Sequence, residues 1–106
     1  MFLPGQFMML KQPGAEQKFS RAFSIVGTSD ASKITFLMKH FDEGCVSGYL
    51  ANAEIGASIE ATSPAGRFIL NSTDTSRVFV ATGTGIAPII SFLKVVKPNA
   101  LVCGVR

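Results

Sequence analysis

Apolar and polar positions alternate through residues 19–26. Phe19, Arg21, Phe23 and Ile25 fall on one side, and Ser20, Ala22, Ser24 and Val26 on the other. That period of two predicts a strand with two unlike faces. Upstream, Phe7-Met8-Met9-Leu10 lies between the turn signals Pro4-Gly5 and Gln12-Pro13-Gly14 and reads as a buried strand. Ile34, Phe36 and Met38 form a second alternating set between Lys33 and Lys39. A weaker strand is expected over residues 56–61, and another at Arg67-Phe68-Ile69-Leu70 after the turn Ser63-Pro64-Ala65-Gly66. Short strands separated by turns predict an antiparallel barrel or sandwich.

The pattern changes after residue 70. Asn71-Ser72-Thr73-Asp74-Thr75-Ser76 is a polar linker and the expected boundary between a first unit, residues 1–72, and a second, residues 77–106. Residues 77–82 are apolar without alternation, as in a parallel strand covered on both faces. A glycine-rich turn then opens a helix from Pro88 to about Lys97, which Pro98-Asn99 stops. Residues 100–104 form another continuous apolar strand, completing one βαβ unit. The helix carries Ile86, Ile89, Ile90, Phe92, Leu93, Val95 and Val96, apolar nearly all round, so it calls for burial on several sides. Too little chain follows to cover it, so the expectation is an incomplete chain or one completed by a second chain.

Composition narrows the classes. Of 106 residues, 47% are hydrophobic and 16% charged, which excludes intrinsic disorder. The apolar stretch over residues 86–96 is broken by Pro88, Ser91 and Lys94, so no membrane span is expected. Met1-Phe2-Leu3-Pro4-Gly5 lacks the basic start of a signal peptide. Two cysteines, Cys45 and Cys103, cannot build a disulfide framework or a four-ligand zinc site. A cytoplasmic, reducing setting without a metal is the expectation. The net charge of +3 comes from scattered lysines and arginines, which argues against nucleic acid. It fits either a phosphorylated small molecule or a solvated basic surface.

Three segments could carry chemistry. In Ala81-Thr82-Gly83-Thr84-Gly85-Ile86-Ala87-Pro88, a strand runs through two glycines into a helix whose first turn tolerates Pro88. Glycines admit a ligand close to the backbone, and helix N-terminal N–H groups attract a pyrophosphate. The alternative is a tight βα connection with no ligand. The third glycine of the dinucleotide fingerprint is replaced by Pro88, and Arg106 stands near the place where an acidic ribose reader is usual. By charge that favours a 2′-phosphate, hence NADPH, although an arginine there reads also as solvated. In Arg21-Ala22-Phe23-Ser24, alternation sets a cation and an aromatic about 7 Å apart on one face. They suit a ligand with a phosphate and a ring, or a core phenylalanine beside a surface arginine. In Gly44-Cys45-Val46-Ser47, Gly44 makes a turn and Ser47 can N-cap a short helix to about Ala53, closed by Gly56. This is a phosphate site or an ordinary surface turn, with Asp42 and Glu43 unfavourable to an anion. His40 has no partner at motif spacing and reads as a loop side chain, and the cysteines read as buried hydrophobes.

Taken in order, Pro4-Gly5-Gln6-Phe7, Arg21-Ala22-Phe23-Ser24, residues 44–50, Ser63-Pro64-Ala65-Gly66-Arg67-Phe68, residues 81–88 and Leu101-Val102-Cys103-Gly104-Val105-Arg106 resemble the ferredoxin–NADP reductase family. The likeness lies in the order and spacing of these pieces and covers essentially the whole chain. It implies a mixed β and α/β fold: an incomplete antiparallel Greek-key flavin-binding barrel followed by the first βαβ unit of a Rossmann-like NAD(P) domain. It implies FAD and NAD(P)H as cofactors, with electrons passing to ferredoxin, flavodoxin or another electron-transfer protein. By position, Arg21 would meet flavin phosphate, with Ala22 beside it, Phe23 would stack on the ring or ribityl chain, and Ser24 would act near flavin N5. Gly44, Cys45, Val46 and Ser47 would wrap the FAD pyrophosphate. Thr82, Gly83, Thr84 and Gly85 would hold the nicotinamide nucleotide, with Thr84 near hydride transfer, and Arg106 would lie along the second nucleotide strand.

The departures are Phe23 where the family often has tyrosine, Ser63 for a glycine, and Ala57 for a common aspartate. The resemblance also implies missing strands before Pro4 and a missing remainder of the nucleotide domain. The alternative from another class is a non-catalytic flavin- or nucleotide-binding fragment that needs another chain for activity.

Overall fold

The computed structural model describes residues 1–27, 32–71, 73 and 76–104. In chain order the elements are β1 (Phe7–Lys11), a 3-10 turn (Gln17–Phe19), β2 (Arg21–Gly27), β3 (Thr35–Phe36), α1 (Ser47–Asn52), β4 (Glu60–Ala61), β5 (Val78–Thr82), a second 3-10 turn (Gly83–Gly85), α2 (Ile86–Leu93) and β6 (Ala100–Gly104).

The first four strands form one antiparallel sheet in the order β3-β2-β1-β4. The strand latest in sequence returns beside the first, which is Greek-key order. β1 and β2 pair with Phe7 opposite Ser24 and Leu10 opposite Arg21. β4 lies on the other edge of β1, Lys11 opposite Glu60. The register between β2 and β3 slips between Ile25 and Gly27, and such an irregularity bends a strand. The sheet curls into a half-barrel. β5 and β6 pair in parallel, Val78 opposite Ala100 through Thr82 opposite Gly104, joined through α2. The mixed architecture expected from the sequence is therefore present.

Phe92 ties these parts together. It is buried with Ala81 and Ile89 in one cluster, against which Leu70, Phe79, Ile86 and Val96 pack. Phe68 and Phe79 set their rings 5.2 and 5.5 Å from that of Phe92, within the range of favourable tilted pairs. α2 packs on β2 as well as on β5. Gly5 completes the joint: it has φ +98°, and a side chain there would collide with the Phe68 carbonyl and the Phe92 ring. Pro98-Asn99 stops the crossover and fixes its return, since Asn99 accepts from the Arg77 N–H at 2.9 Å and donates its own N–H to Arg77 O at 2.7 Å.

Several sequence expectations change. Residues 67–70 form no strand; Ile69 N–H turns back to Arg67 O at 2.9 Å, and the segment serves to lay Phe68 on Phe92. Ladder pairing nearby is limited to a bridge between Phe7 and Ala65. α2 begins at Ile86 and ends at Leu93, earlier at both ends than expected. Ser47 is the first residue of α1 and caps nothing. The βαβ sheet is covered only in part: Phe79 and Ala81 of β5 pack into the Phe92 cluster, whereas β6 is exposed along its whole length. On the outer face Val78, Val80 and Val102 are 61%, 69% and 55% exposed. Of the expected linker, residues 72, 74 and 75 lie outside the described residues.

Candidate functional site

The slip after Ile25 leaves one edge of β2 open. β3 meets β2 only at Ile25 and Gly27, so residues 21–24 pair with β1 alone. Ile25 N–H donates to Gln6 O at 3.0 Å, while Phe7 bonds away from β2, to Ala65. Alternation in an antiparallel ladder then turns the N–H groups of Ala22 and Ser24 toward the open edge. That edge forms a wall of a cleft of about 470 Å³, lined by Arg21, Ala22, Phe23 and Ser24.

Arg21 begins β2 immediately after the 3-10 turn, and its guanidinium folds back over that turn. Nη1 donates to the carbonyls of Lys18 and Ser20 at 3.0 and 2.8 Å, and Nη2 lies 3.5 Å from Cys45 Sγ. The charge is thereby held at the mouth of the cleft beside the next segment. A half-buried Phe23 shares its strand face.

The opposite wall is Gly44, Cys45, Val46 and Ser47. Gly44 N–H closes a turn onto Phe41 O at 2.9 Å. A side chain at Gly44 would strike the Ser47 hydroxyl and stand 3.0 Å from Phe41 O, so the tightness of this turn requires glycine. The buried Ser47 hydroxyl accepts from Phe41 N–H at 3.1 Å and donates to Phe41 O at 3.3 Å. Serine thus staples the loop shut. Cys45 and Val46 donate their backbone N–H groups to no acceptor among the described residues, leaving two donors at the start of α1.

The third side is Thr84, Gly85 and Ala87, at the turn into α2. A side chain at Gly83 or Gly85 would meet nothing within 4 Å, so the space above the turn is open. Thr82 and Gly83 are not among the residues lining the cleft. Arg106 lies outside the described residues.

The sequence reading missed part of the lining, namely Leu37, Met38, Lys39 and Phe41. These follow β3 where it leaves β2, and alternation marks strands rather than the stretches that diverge from them. His40 has a partner after all: its Nε2 lies 2.8 Å from Asp42 Oδ1. Among the described residues no cluster of His, Cys, Asp and Glu could hold a metal ion, and both cysteines are free. No described helix is long and apolar enough to cross a membrane. The cleft offers one guanidinium, free backbone donors and apolar walls, a donor set suited to an anionic ligand with a flat ring.

Known proteins resemble the chain in sequence and in fold. The chain is 38% identical over 94 residues to the 2-halobenzoate 1,2-dioxygenase electron transfer component of Burkholderia cepacia, covering 88% of this chain and 27% of that protein. It is 36% identical over 98 residues to ferredoxin–NADP reductase B of Sorangium cellulosum, covering 89% and 39% respectively. This chain thus spans less than half the length of either relative. A mutant ferredoxin–NADP+ reductase from Plasmodium falciparum superposes with a TM-score of 0.80 at 28% identity, covering 98% of this chain and 50% of that one. Residues 1–69 match the oxidoreductase FAD-binding domain family, and the chain belongs to that family.

Proposed function

We propose that this chain is the flavin-holding part of an NAD(P)H-linked electron-transfer reductase, with FAD in the cleft between β2 and the loop before α1. One observation carries the reading: Arg21, Phe23, Ser24, Gly44, Cys45, Val46, Ser47, Thr84 and Gly85, scattered along the sequence, line one cleft. The residues fit the group. Arg21 supplies a cation for phosphate, the N–H groups of Cys45 and Val46 supply donors, and Phe23 supplies an aromatic face. Ala22 contributes a backbone N–H on the open edge of β2.

When bound, FAD supplies the redox chemistry that links a two-electron nicotinamide donor to a one-electron carrier. The chain's residues bind and orient. Ser24, through its N–H on the open edge, is placed to hold the reactive nitrogen edge of the ring. Ser47 fixes the phosphate loop by engaging the Phe41 backbone with its hydroxyl, so that hydroxyl holds the loop rather than the phosphate. Leu37, Met38 and Phe23 exclude water from the ring. Thr84 and Gly85, at the opening of α2, are the approach for nicotinamide, with Thr82 and Gly83 supporting that turn. Hydride transfer needs the reacting atoms about 3–3.5 Å apart, so Ser24 and Thr84 are assigned the catalytic positions.

The proposed division is residues 1–72 for flavin and 77–106 for the nucleotide. NADPH rather than NADH rests on the charge of Arg106 alone. The acceptor is a ferredoxin, a flavodoxin or another electron-transfer protein, in a cytoplasmic setting that the two free thiols support. A second reading, a binding unit that needs another chain for turnover, is favoured by the uncovered valines of the β5–β6 sheet.

An absorption spectrum of freshly purified protein tests the main reading. A flavin spectrum with FAD released on denaturation is expected; a colourless chain that takes up no flavin overturns it. Anaerobic NAD(P)H separates the two readings: bleaching of bound flavin supports the first, and unchanged colour the second.

A further inference from the structure

A second cavity lies at the end of α2 remote from the glycine turn. It measures about 600 Å³ and is lined by Ser91 of the helix, Lys94 just beyond it and Gly27 at the end of β2, with apolar walls from Phe2, Pro4, Ile34 and Val95. It shares no lining residue with the cleft that Arg21 borders. Its volume is that of a small-molecule site. Ser91 is 2% exposed, and its hydroxyl makes no hydrogen bond among the described residues. A buried hydroxyl without a protein partner bonds whatever fills the space beside it. The Lys94 N–H bonds Ser91 O at 3.3 Å, so this last turn holds both side chains on one side of the helix. The lysine stem crosses Gly27, where a Cβ would stand 2.6 Å from Lys94 Cε and 3.0 Å from Nζ. Glycine thus makes room for the stem. Lys94 Nζ has no hydrogen bond or ion pair among the described residues, and no acidic side chain among them lines the cavity.

An unpaired ammonium and a bare hydroxyl therefore face one apolar chamber. We infer that this cavity is a second ligand site, for a small carboxylate with a hydrocarbon body, such as a medium-chain fatty acid. The carboxylate accepts from Lys94 Nζ and from the Ser91 hydroxyl, bonds strengthened by its charge. The hydrocarbon covers Phe2, Ile34 and Val95, which is where the apolar gain lies. A bare phosphate gains nothing from those walls, and an amine meets a like charge. The site stands independently of the flavin cleft.

The test titrates the chain with decanoate, kept below its micelle-forming concentration, by calorimetry and by backbone amide NMR shifts. One decanoate per chain is expected, with shifts concentrated at Gly27, Ile34, Ser91 and Lys94. Decanol, which lacks the charge, is expected to bind less tightly. Lys94→Met keeps the stem and removes the ammonium; it should weaken decanoate roughly tenfold, the scale of one hydrogen bond to a charged group. Ser91→Ala should weaken it several-fold. Lys97→Met, at a lysine that does not line the cavity, should leave affinity unchanged. No binding of decanoate, equal binding of decanoate and decanol, or unchanged affinity in Lys94→Met overturns the inference. So do shifts centred on Val78, Val80 and Val102, or shifts at the cavity that follow protein concentration, which would make it a contact between copies. The comparison of decanoate with decanol uses the unaltered chain, so it decides the matter even where a variant fails to fold.

Discussion

The Nη2 atom of Arg21 stands 3.5 Å from the sulfur of Cys45, 24 positions further along the chain. Through that contact the start of β2 touches the loop before α1, and two walls of the cleft meet at a positive charge. The guanidinium is also bonded to the carbonyls of Lys18 and Ser20, so it is oriented by its own backbone.

Arg21→Ala removes that charge from an exposed side chain. Hydrogen bonds to charged groups contribute about 1.5–3 kcal/mol, so flavin affinity should fall roughly tenfold or more while the unfolding midpoint stays nearly constant. A fluorescence titration with unchanged affinity would take Arg21 out of the site.

Gly5→Ala tests the joint at Phe92. The residue combines φ +98° with a collision against Phe68 and the Phe92 ring. Backbone strain and overpacking together should cost about 2–4 kcal/mol in urea unfolding. Gly14→Ala is the control, because at φ +81° a side chain there meets nothing within 4 Å; it should cost about 1–2 kcal/mol, for the left-handed backbone alone. Equal losses in the two variants would show that Gly5 matters only for its backbone angle.

Glu60 sets a pH dependence. Its hydrogen bond from Lys11 holds the carboxyl below its ordinary range, helped by the Gly14 N–H and the Lys11 charge. A depressed carboxyl stabilises the folded state above its unfolded value, near pH 4.3, and that contribution is lost as pH falls through the lower folded value. Glu60→Gln should therefore flatten part of the acid limb of the stability profile and leave its shape above about pH 6 unchanged. The effect is small, since Glu60 is exposed and salt screens it. An acid limb identical in the two proteins would show that the pair does not persist in solution.

The strands that carry the fold were legible where pattern and partner agree. β2 alternates because its faces differ, and β5 and β6 are continuous apolar runs, the pattern of parallel strands covered on both faces, although Val78, Val80 and Val102 are exposed here. Residues 67–70 misled for a physical reason: their apolar side chains cover Phe92 rather than face a sheet, and a short apolar run looks the same in either use. Most of the cleft was legible because glycines, a cap-like serine and an arginine mark it. Lys39 and Phe41 were not, since the divergence of the chain after β3 depends on the slip between Ile25 and Gly27, and local sequence carries no sign of it. Ser47 lies in that loop but does not cap α1: its hydroxyl reaches back to Phe41, a tertiary contact no capping rule anticipates.

The unpaired flank of β2 has one more effect. Ladder groups left bare beside apolar walls are a template on which stray chains stack, and the few residues from Arg21 to Ser24 are short enough for a single small molecule to occupy. A flavin lodged there, as proposed, would act as a plug as well as a reagent. Polypeptide prepared empty is then expected to aggregate sooner on standing than the same polypeptide prepared full, and equal light scattering from the two would count against this.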